Sequence, residues 1–528
     1  MSALRAGLAG LLALLAILTV GCASIPTRGG VQEGATVTSR EQEPFAFQPA
    51  GPSDGATAGE VLRGFIAAAV RPQDRYSVAR QFLTPELAQT WDPTAGVTLH
   101  DSPNLIRDDG TGTLQLSVDT VGSLDRAGVY LENADAESAT LIFEVQQVDG
   151  QWRVSKAPDG VVLLRQTFER LYTQRTLYFF DPSFGYLVPD VRWFLAGTTQ
   201  PTQIVQALLE GPPNPLAAPV TASAFPAGTS LTKDSVVASD GELVVDLDDS
   251  VLGLDTLILQ RMRLQLTRSL VGGSVVGVEL RADGTSLDIP EITDGPVQQP
   301  QIDPRAAVGD ADAFGWLVSG EIESVPGIGE AVAALAPRAV SLDASTDRAA
   351  DLAEGGAFIV RDGVAPLLLD SRPGLIAPAL DTRGYTWTVP TSSPTAIQVA
   401  DLEGGVTSIT AGWSDLSAIT AIGVSRDGTR LLVNGVAGPV PALRVYGIIR
   451  DADRKPVALS ADWFELVPPE GSPVSATWAD DVSVASLGRT ASGGSSAHLQ
   501  VVGGASDELS PPDAASAILG GSGEASLR

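Results

Sequence analysis

Apolar residues recur at helical spacing in a few stretches of this chain and alternate with polar ones in most of the rest. In "TAGEVLRGFIAAAVRP", Leu62, Phe65, Ile66, Ala69 and Val70 fall on one face, which predicts a helix closed by Pro72. Thr84-Pro85 reads as an N-cap followed by a proline in the first turn, opening a short helix towards Trp91. The period then changes to two, in "TLQLSVD", "GVYLEN" and "TLIFEVQQVDGQWRVSKA". Asp149-Gly150 between two alternating runs signals a tight hairpin, because both central residues of such a turn need φ > 0. Helices followed by a meander predict an α+β domain over residues 57–163.

A second mixed pattern follows, over residues 164–290. "RTLYFFDPSFGYLVPDVRWFL" predicts two strands, and "TTQPTQIVQALLEGPPNPL" a helix with Ile204, Val205, Leu208 and Leu209 inward, closed by Gly211 and prolines. Strands around an Asp240-Gly241 turn, a helix in "TLILQRMRLQLTRSL" and a hairpin in "SVVGVELRADGTSLDIP" complete the segment. A proline- and glutamine-containing linker over 291–308 separates the remainder. There, "LAEGGAFIVRDGVAPLLLDS", "LIAPALDTRGYTWTVPT", "AIGVSRDGTRLLVNG" and "SATWADDVSVASLG" read as similar units of short strands, with Thr-Trp at 386–387 and again at 477–478. Their spacing, roughly 35 to 50 residues, is that of four-stranded propeller blades. A propeller over 309–505 is therefore favoured over a β-sandwich, and the small, polar tail over 506–528 is expected to fray.

The N-terminus changes the picture of where these domains work. Arg5 is followed by an unbroken apolar or small run from Ala6 to Val20. About fifteen residues at 1.5 Å rise cannot span a hydrocarbon core of ~30 Å as a helix. The pattern is that of an export signal, residues 1–21. Cys22, the sole cysteine in 528 residues, stands where that run stops. Thr19-Val20-Gly21-Cys22 resembles a bacterial lipobox, although Leu18 lies one place further out than the usual leucine. That resemblance implies acylation of Cys22 and attachment to the membrane from the extracytoplasmic side. Stretches rich in Gly, Pro, Ser, Thr and Gln from Thr27 to Ala56 read as a tether, with residues 22–56 forming the lipidated N-terminus. With a single thiol there are no internal disulfides and no Cys-based zinc site, so the folded parts rely on burial. A net charge of −29, from 34 basic against 63 acidic residues, excludes nucleic acid as a partner and repels anionic lipid.

Several motifs invite a chemical reading and fail it on spacing. Asp310, Asp312 and Glu321 approach an EF-hand loop, but Phe314 takes the place of an oxygen ligand and the following residues read as strand. "VPGIGEAVAALAP" resembles a helix-hairpin-helix element, which an exported acidic protein has no use for; a turn and short helix are expected. Asp246 and Asp248 fall on one strand face beside Asp249, where a solvated strand end capping the next helix is expected over metal or acid–base work. His100 and His498 accompany no nucleophile elbow and are expected to be ordinary surface or loop residues. Trp387, Trp413 and Trp478 could stack on sugars, but blade-core packing is expected of each. Catalytic, cofactor-binding and metal-ligating residues are accordingly none, and Cys22 is the one assigned site.

The first domain, with its Gly150-Gln151-Trp152-Arg153 turn, is similar to NTF2-like domains. Tyr178-Phe179, Leu187-Val188-Pro189, Arg192, Leu208-Leu209-x-Gly211-Pro212, Phe225-Pro226-x-Gly228-Thr229 and Val245-Asp246-Leu247 resemble a GerMN domain in the same order. Lipobox, "CASIPTRGGVQ", NTF2-like region, GerMN domain and propeller together resemble the actinobacterial lipoprotein LpqB family along nearly the whole chain. The resemblance implies a membrane-anchored, non-enzymatic accessory of a two-component sensor histidine kinase, contacting its outer-facing domain through the NTF2-like or GerMN part. A receptor for cell-wall glycan or peptide is the competing expectation.

Overall fold

Thr57 opens the first helix through a reciprocal capping box: its hydroxyl accepts from Glu60 N at 3.3 Å, and the Glu60 carboxylate accepts from Thr57 N at 2.8 Å. The helix runs Ala58–Ala68 and buries Val61, Leu62, Phe65 and Ala68. Ile66 and Val70, expected inward, are only half-buried, because the contact face is centred nearer Val61 and Phe65. The computed structural model describes residues 50–521 and 527, apart from 103, 104, 234, 240, 274, 301 and 311. Cys22 and the signal and tether segments lie outside the described residues.

The helix packs into a curved sheet with strand order Gln151–Lys156, Tyr130–Val148, Thr113–Asp125, Gly96–His100, Val161–Leu164, the strand Leu105–Asp108 pairing with Thr113–Asp125 off this path. Leu114, Leu116 and Val118 alternate inward on the central strand and meet Phe65, Trp91 and Phe143. Asp149 and Gly150 adopt φ of 52° and 76°, as their turn requires. Thr84 caps the helix Pro85–Thr90 by accepting from Leu87 N. Two expectations change here. His100 is buried, 4% exposed, with Nδ1 2.6 Å from the Ser102 carbonyl. The first core also continues past the expected boundary at 163, since Phe168 and Tyr172 complete it.

The middle domain begins with a long antiparallel hairpin, Tyr172–Phe180 against Leu187–Leu195. The helices Gln200–Glu210 and Thr256–Leu270 cover a sheet ordered Thr285–Ser286, Gly277–Ala282, Glu242–Leu247, Val237–Ser239. Glu242–Leu247 pairs in parallel with Gly277–Ala282, so Thr256–Leu270 is the crossover helix between them. Ile204, Val205, Leu208, Met262 and Leu266 meet Val245 and Leu247 in the core.

The C-terminal domain is a series of antiparallel meanders: one sheet of three strands, starting at Ala307–Gly309, then four sheets of four strands each. Many of the turns within sheets are closed by an aspartate whose carboxylate accepts backbone N–H groups. Asp381 accepts from Arg383 N and Tyr385 N, Asp401 from Glu403 N and Gly405 N, and Asp451 from Asp453 N and Lys455 N. Apolar layers lie between successive sheets, for example Leu432, Leu443 and Val445 of the fourth against Trp478 and Val484 of the fifth. The Thr-Trp repeat does not mark equivalent places. Trp387 lies in the second strand of the third sheet and Trp478 at the end of the first strand of the fifth.

The expected frayed tail is instead built in. Ser506–Leu509 is the fourth strand of the last sheet, beyond the boundary set at 505. The chain then crosses that sheet's outer face, where Ile518 joins Ala479, Ala485, Leu487 and Ala497. Ser475 Oγ contacts both Ile518 O and Ile518 N, and Thr477 Oγ1 accepts from Gly520 N.

Candidate functional site

The residues that looked chemical in the sequence are dispersed and structurally satisfied. Asp248 accepts from Ser230 N and Oγ and from Ser250, and these bonds pull its carboxyl down to about 2. Asp246, expected to be solvated, is buried and accepts from Gly284 N at 2.8 Å in the neighbouring hairpin turn, while Asp248 caps the short turn Asp249–Val251. Asp310 accepts from Asp312 N and Ala313 N in the turn that joins Ala307–Gly309 to Phe314–Val318 within the first sheet, not in a turn leading into it. Gly329–Leu335 is a short helix whose Val332 packs between the first two sheets. Trp387, Trp413 and Trp478 are 0%, 7% and 6% exposed, in the cores between sheets. His498, expected on the surface or in a loop, is half-buried in the strand Ser495–Val501. Among the described residues no group of His, Cys, Asp and Glu could hold a metal ion, and no helix is long and apolar enough to cross a membrane.

What the fold brings together is a different set, at the junction of the three domains. Asp181, 0% exposed, closes the loop of the middle-domain hairpin by accepting from Ser183 N, Gly185 N and Tyr186 N. Its remaining capacity is taken by Ser183 Oγ and by Arg383 Nη2 of the third propeller sheet at 2.6 Å. Arg450 then ties the fourth sheet to the third, bonding Asp381 at 2.9 Å and the Gly428 carbonyl at 2.8 Å.

Arg430 stands at the centre, 2% exposed. Its guanidinium pairs with Asp427 at 2.5 Å, donates to the Asp481 carbonyl at 2.7 Å and to the Pro189 carbonyl at 3.5 Å, and lies 4.9 Å over the Trp478 ring. On the hairpin side, Arg192 pairs with Asp190 at 2.7 Å, both side chains being 1% exposed, and reaches the Gly211 carbonyl at 2.8 Å. Burial pushes the Asp190 carboxyl up, and the Arg192 charge opposes it. Burial likewise lifts Asp481 to about 6 against the pull of Arg426. Such pairs persist only when desolvation is offset by several charge-assisted bonds.

The first domain joins the same junction. Glu132 accepts from Ser506 N at 2.7 Å while also pairing with Arg165, and Trp193 of the middle-domain hairpin, packed against the first core, donates through Nε1 to the Gly503 carbonyl at 3.0 Å. Gly447 lies so close to the loop after the middle domain's first helix that a Cβ there would sit 2.1 Å from the Pro215 carbonyl. The space left between hairpin and propeller is about 10 Å³, lined by residues including Asp190, Arg430 and Val502, which is room for about one water.

Family comparisons divide the chain along the same lines. The model described as lipoprotein LpqB, N-terminal domain, matches residues 51–169, that for sporulation and spore germination residues 176–288, and the lipoprotein LpqB β-propeller domain residues 314–527. The chain belongs to the lipoprotein LpqB family. Lipoprotein LpqB of Cutibacterium acnes is 32% identical over 289 residues, 54% of this chain and 49% of that protein. That of Thermobifida fusca is 29% identical over 334 residues, 59% and 53%. That of Bifidobacterium longum is 27% identical over 465 residues, 83% and 77%. The chain thus spans about half the length of the first two relatives. Among solved structures, the tandem GerMN domains of GerM from Bacillus subtilis are 17% identical with a TM-score of 0.19, over 38% of this chain and 63% of that one. A chain of a nidogen/laminin complex is 12% identical with a TM-score of 0.28, over 40% and 80%.

None of Arg192, Arg383 and Arg430 could be assigned a junction role from local pattern alone. Arg192 enters only through the GerMN-like order, Arg383 sits in an ordinary turn and Arg430 opens the strand Arg430–Ala437 after one. The available signal was an arginine beside an aspartate in a turn otherwise built to be buried.

Proposed function

We propose that this protein is a lipoprotein held at the extracytoplasmic face of the membrane by lipid on Cys22, acting as a non-catalytic accessory of a two-component sensor histidine kinase in envelope homeostasis and division. The observation that carries the reading is the buried ionic junction, in which Arg383–Asp181 fastens the middle domain to the propeller and Arg430, held by Asp427 within the propeller, reaches the Pro189 carbonyl of the middle domain. A modulator must bind one state of its partner better than another. A composite of three domains that cannot swing freely keeps a fixed surface for that discrimination, where loosely tethered modules would adapt to both states.

Titration of the folded chain into the isolated outer domain of the cognate kinase, followed by calorimetry, tests this. Saturable binding at micromolar concentration or tighter supports it. No binding between two folded partners sinks it and gives first place to a receptor for cell-wall glycan or peptide, which stabilisation by wall fragments would then report.

A further inference from the structure

Asp351 lies in the strand Arg348–Ala353, the second of the second propeller sheet, opposite Val340 on one side and Phe358 on the other. It is 0% exposed, and neither carboxylate oxygen has a hydrogen-bond partner. Alternation puts it on the same face as Ala349, whose neighbours are Phe314 and Trp316 of the first sheet and Ile328 and Val332 around the connecting helix. Bonds from Asp343 N to the Arg348 carbonyl and from Ser425 N to the Arg430 carbonyl close turns of equal length in the second and fourth sheets. Counted from those turns, Asp351 occupies the place that Val433, 1% exposed, fills in the fourth sheet. A carboxyl has taken the seat of a core aliphatic residue.

We propose that Asp351 makes the seam between the first and second sheets a proton-operated latch, closed while the carboxyl is neutral and released when it is charged.

The surrounding charges do not supply a counter-ion. On its own strand Arg348 is engaged by Asp343 and Asp347, and Arg361 stands across from Arg348 at the far end of the pairing. From the first sheet, Glu321 and Glu323 are exposed and Arg305 is paired with Asp303 over the Trp316 ring. Glu330 of the connecting helix and Arg338 after it are exposed, and the strand Ala339–Leu342 carries no titratable group. Burial alone raises the carboxyl's proton affinity, from the usual 3.8 to about 7. A lone carboxylate in an apolar layer is costly enough that the group either stays neutral or the layer opens to water. The first sheet is the side that can leave: it has three strands where the others have four, and a short helix joins it onward.

The sign follows from proton linkage. Between the usual carboxyl value and about 7, the closed seam holds a proton that the open one releases, so the open fraction rises tenfold per pH unit. Above about 7 both states are ionised and the rise stops.

Hydrogen exchange of the full chain, read by mass spectrometry at pH 5, 6, 7 and 8 and corrected for intrinsic rates, tests the latch. Opening of residues 314–335 is expected to increase about a hundredfold from pH 5 to 7 and to level off by pH 8. Residues 256–270, the second helix of the middle domain, serve as the internal reference and are expected to show no such slope. Asp351→Asn, which keeps the shape but cannot ionise, should remove the slope, and Asp351→Val should remove it while deepening protection. A flat wild-type profile overturns the proposal, as does a slope that survives in either variant.

Discussion

Arg430→Ala should be among the most damaging single substitutions in the propeller, and the structure says why. The change strips the partner from Asp427, whose side chain is 3% exposed. Burial raises the Asp427 carboxyl, but the Arg430 charge and the bonds from Thr429 outweigh it and hold the group below its usual range. Orphaning one member of a buried pair costs about 3–5 kcal/mol. Loss of the guanidinium from the Trp478 ring, 4.9 Å away, adds about 1 kcal/mol. The expected total, about 4–6 kcal/mol, is roughly a thousandfold to ten-thousandfold in the folded-to-unfolded ratio. The double variant Arg430→Met with Asp427→Asn removes both charges and keeps most of the volume, so it should be milder than Arg430→Ala by about 2 kcal/mol. Urea unfolding followed by tryptophan fluorescence reads both. Acid should partly rescue the single variant, since without Arg430 the Asp427 carboxyl is raised and its neutral form is the one the fold tolerates. If Arg430→Ala costs under 1 kcal/mol, or the double variant is the worse of the two, the buried-charge account is refuted.

Three further outcomes are expected. Arg383→Ala leaves Asp181 its three backbone donors, so the loop survives while docking of the middle domain weakens by about 1–3 kcal/mol; a separate low-temperature transition should appear in calorimetry, and an unchanged trace would contradict the assignment. Ile518→Ala, at a side chain 8% exposed on the last sheet, should destabilise the propeller by about 2–4 kcal/mol in thermal unfolding; no change would mean the tail does not hold that face. Because Asp248 is lowered to about 2, its contribution is complete above the usual 3.8 and disappears as pH falls from about 4 towards 2. Asp248→Asn should flatten the acid-unfolding profile in that window, and an identical profile would remove Asp248 from the account.

Features set by neighbouring residues were legible in the sequence. Thr84-Pro85 caps its helix, Asp149-Gly150 turns its hairpin, and the helices around Phe65, Leu208 and Leu266 present the apolar faces their spacing encodes. Meander units of short strands with Asp- and Gly-containing turns likewise gave the propeller-like class. The failures share a different cause. His100 is buried because a strand from beyond residue 160 lies alongside its own, a contact no local pattern reports. The tail looked frayed because its residues are small, yet smallness there is a packing requirement. A Cβ on Gly520 would sit 1.9 Å from the Trp478 carbonyl, so only glycine can pass.

The same reasoning separates the two functional readings. The three tryptophans that could have stacked on sugar are spent on cores between sheets, as expected of them, so a glycan site would have to be built from other residues. The junction has no comparable structural excuse for its ions. Apolar residues would hold two domains together at no desolvation cost, whereas Asp181 with Arg383 across the domains, and Arg430 reaching Pro189 from its pair with Asp427, demand one geometry and penalise others. A chain that only had to keep its domains attached would have no use for that penalty. Under the proposed reading, in which one composite face meets a partner, the penalty on misalignment would keep that face the same at every encounter.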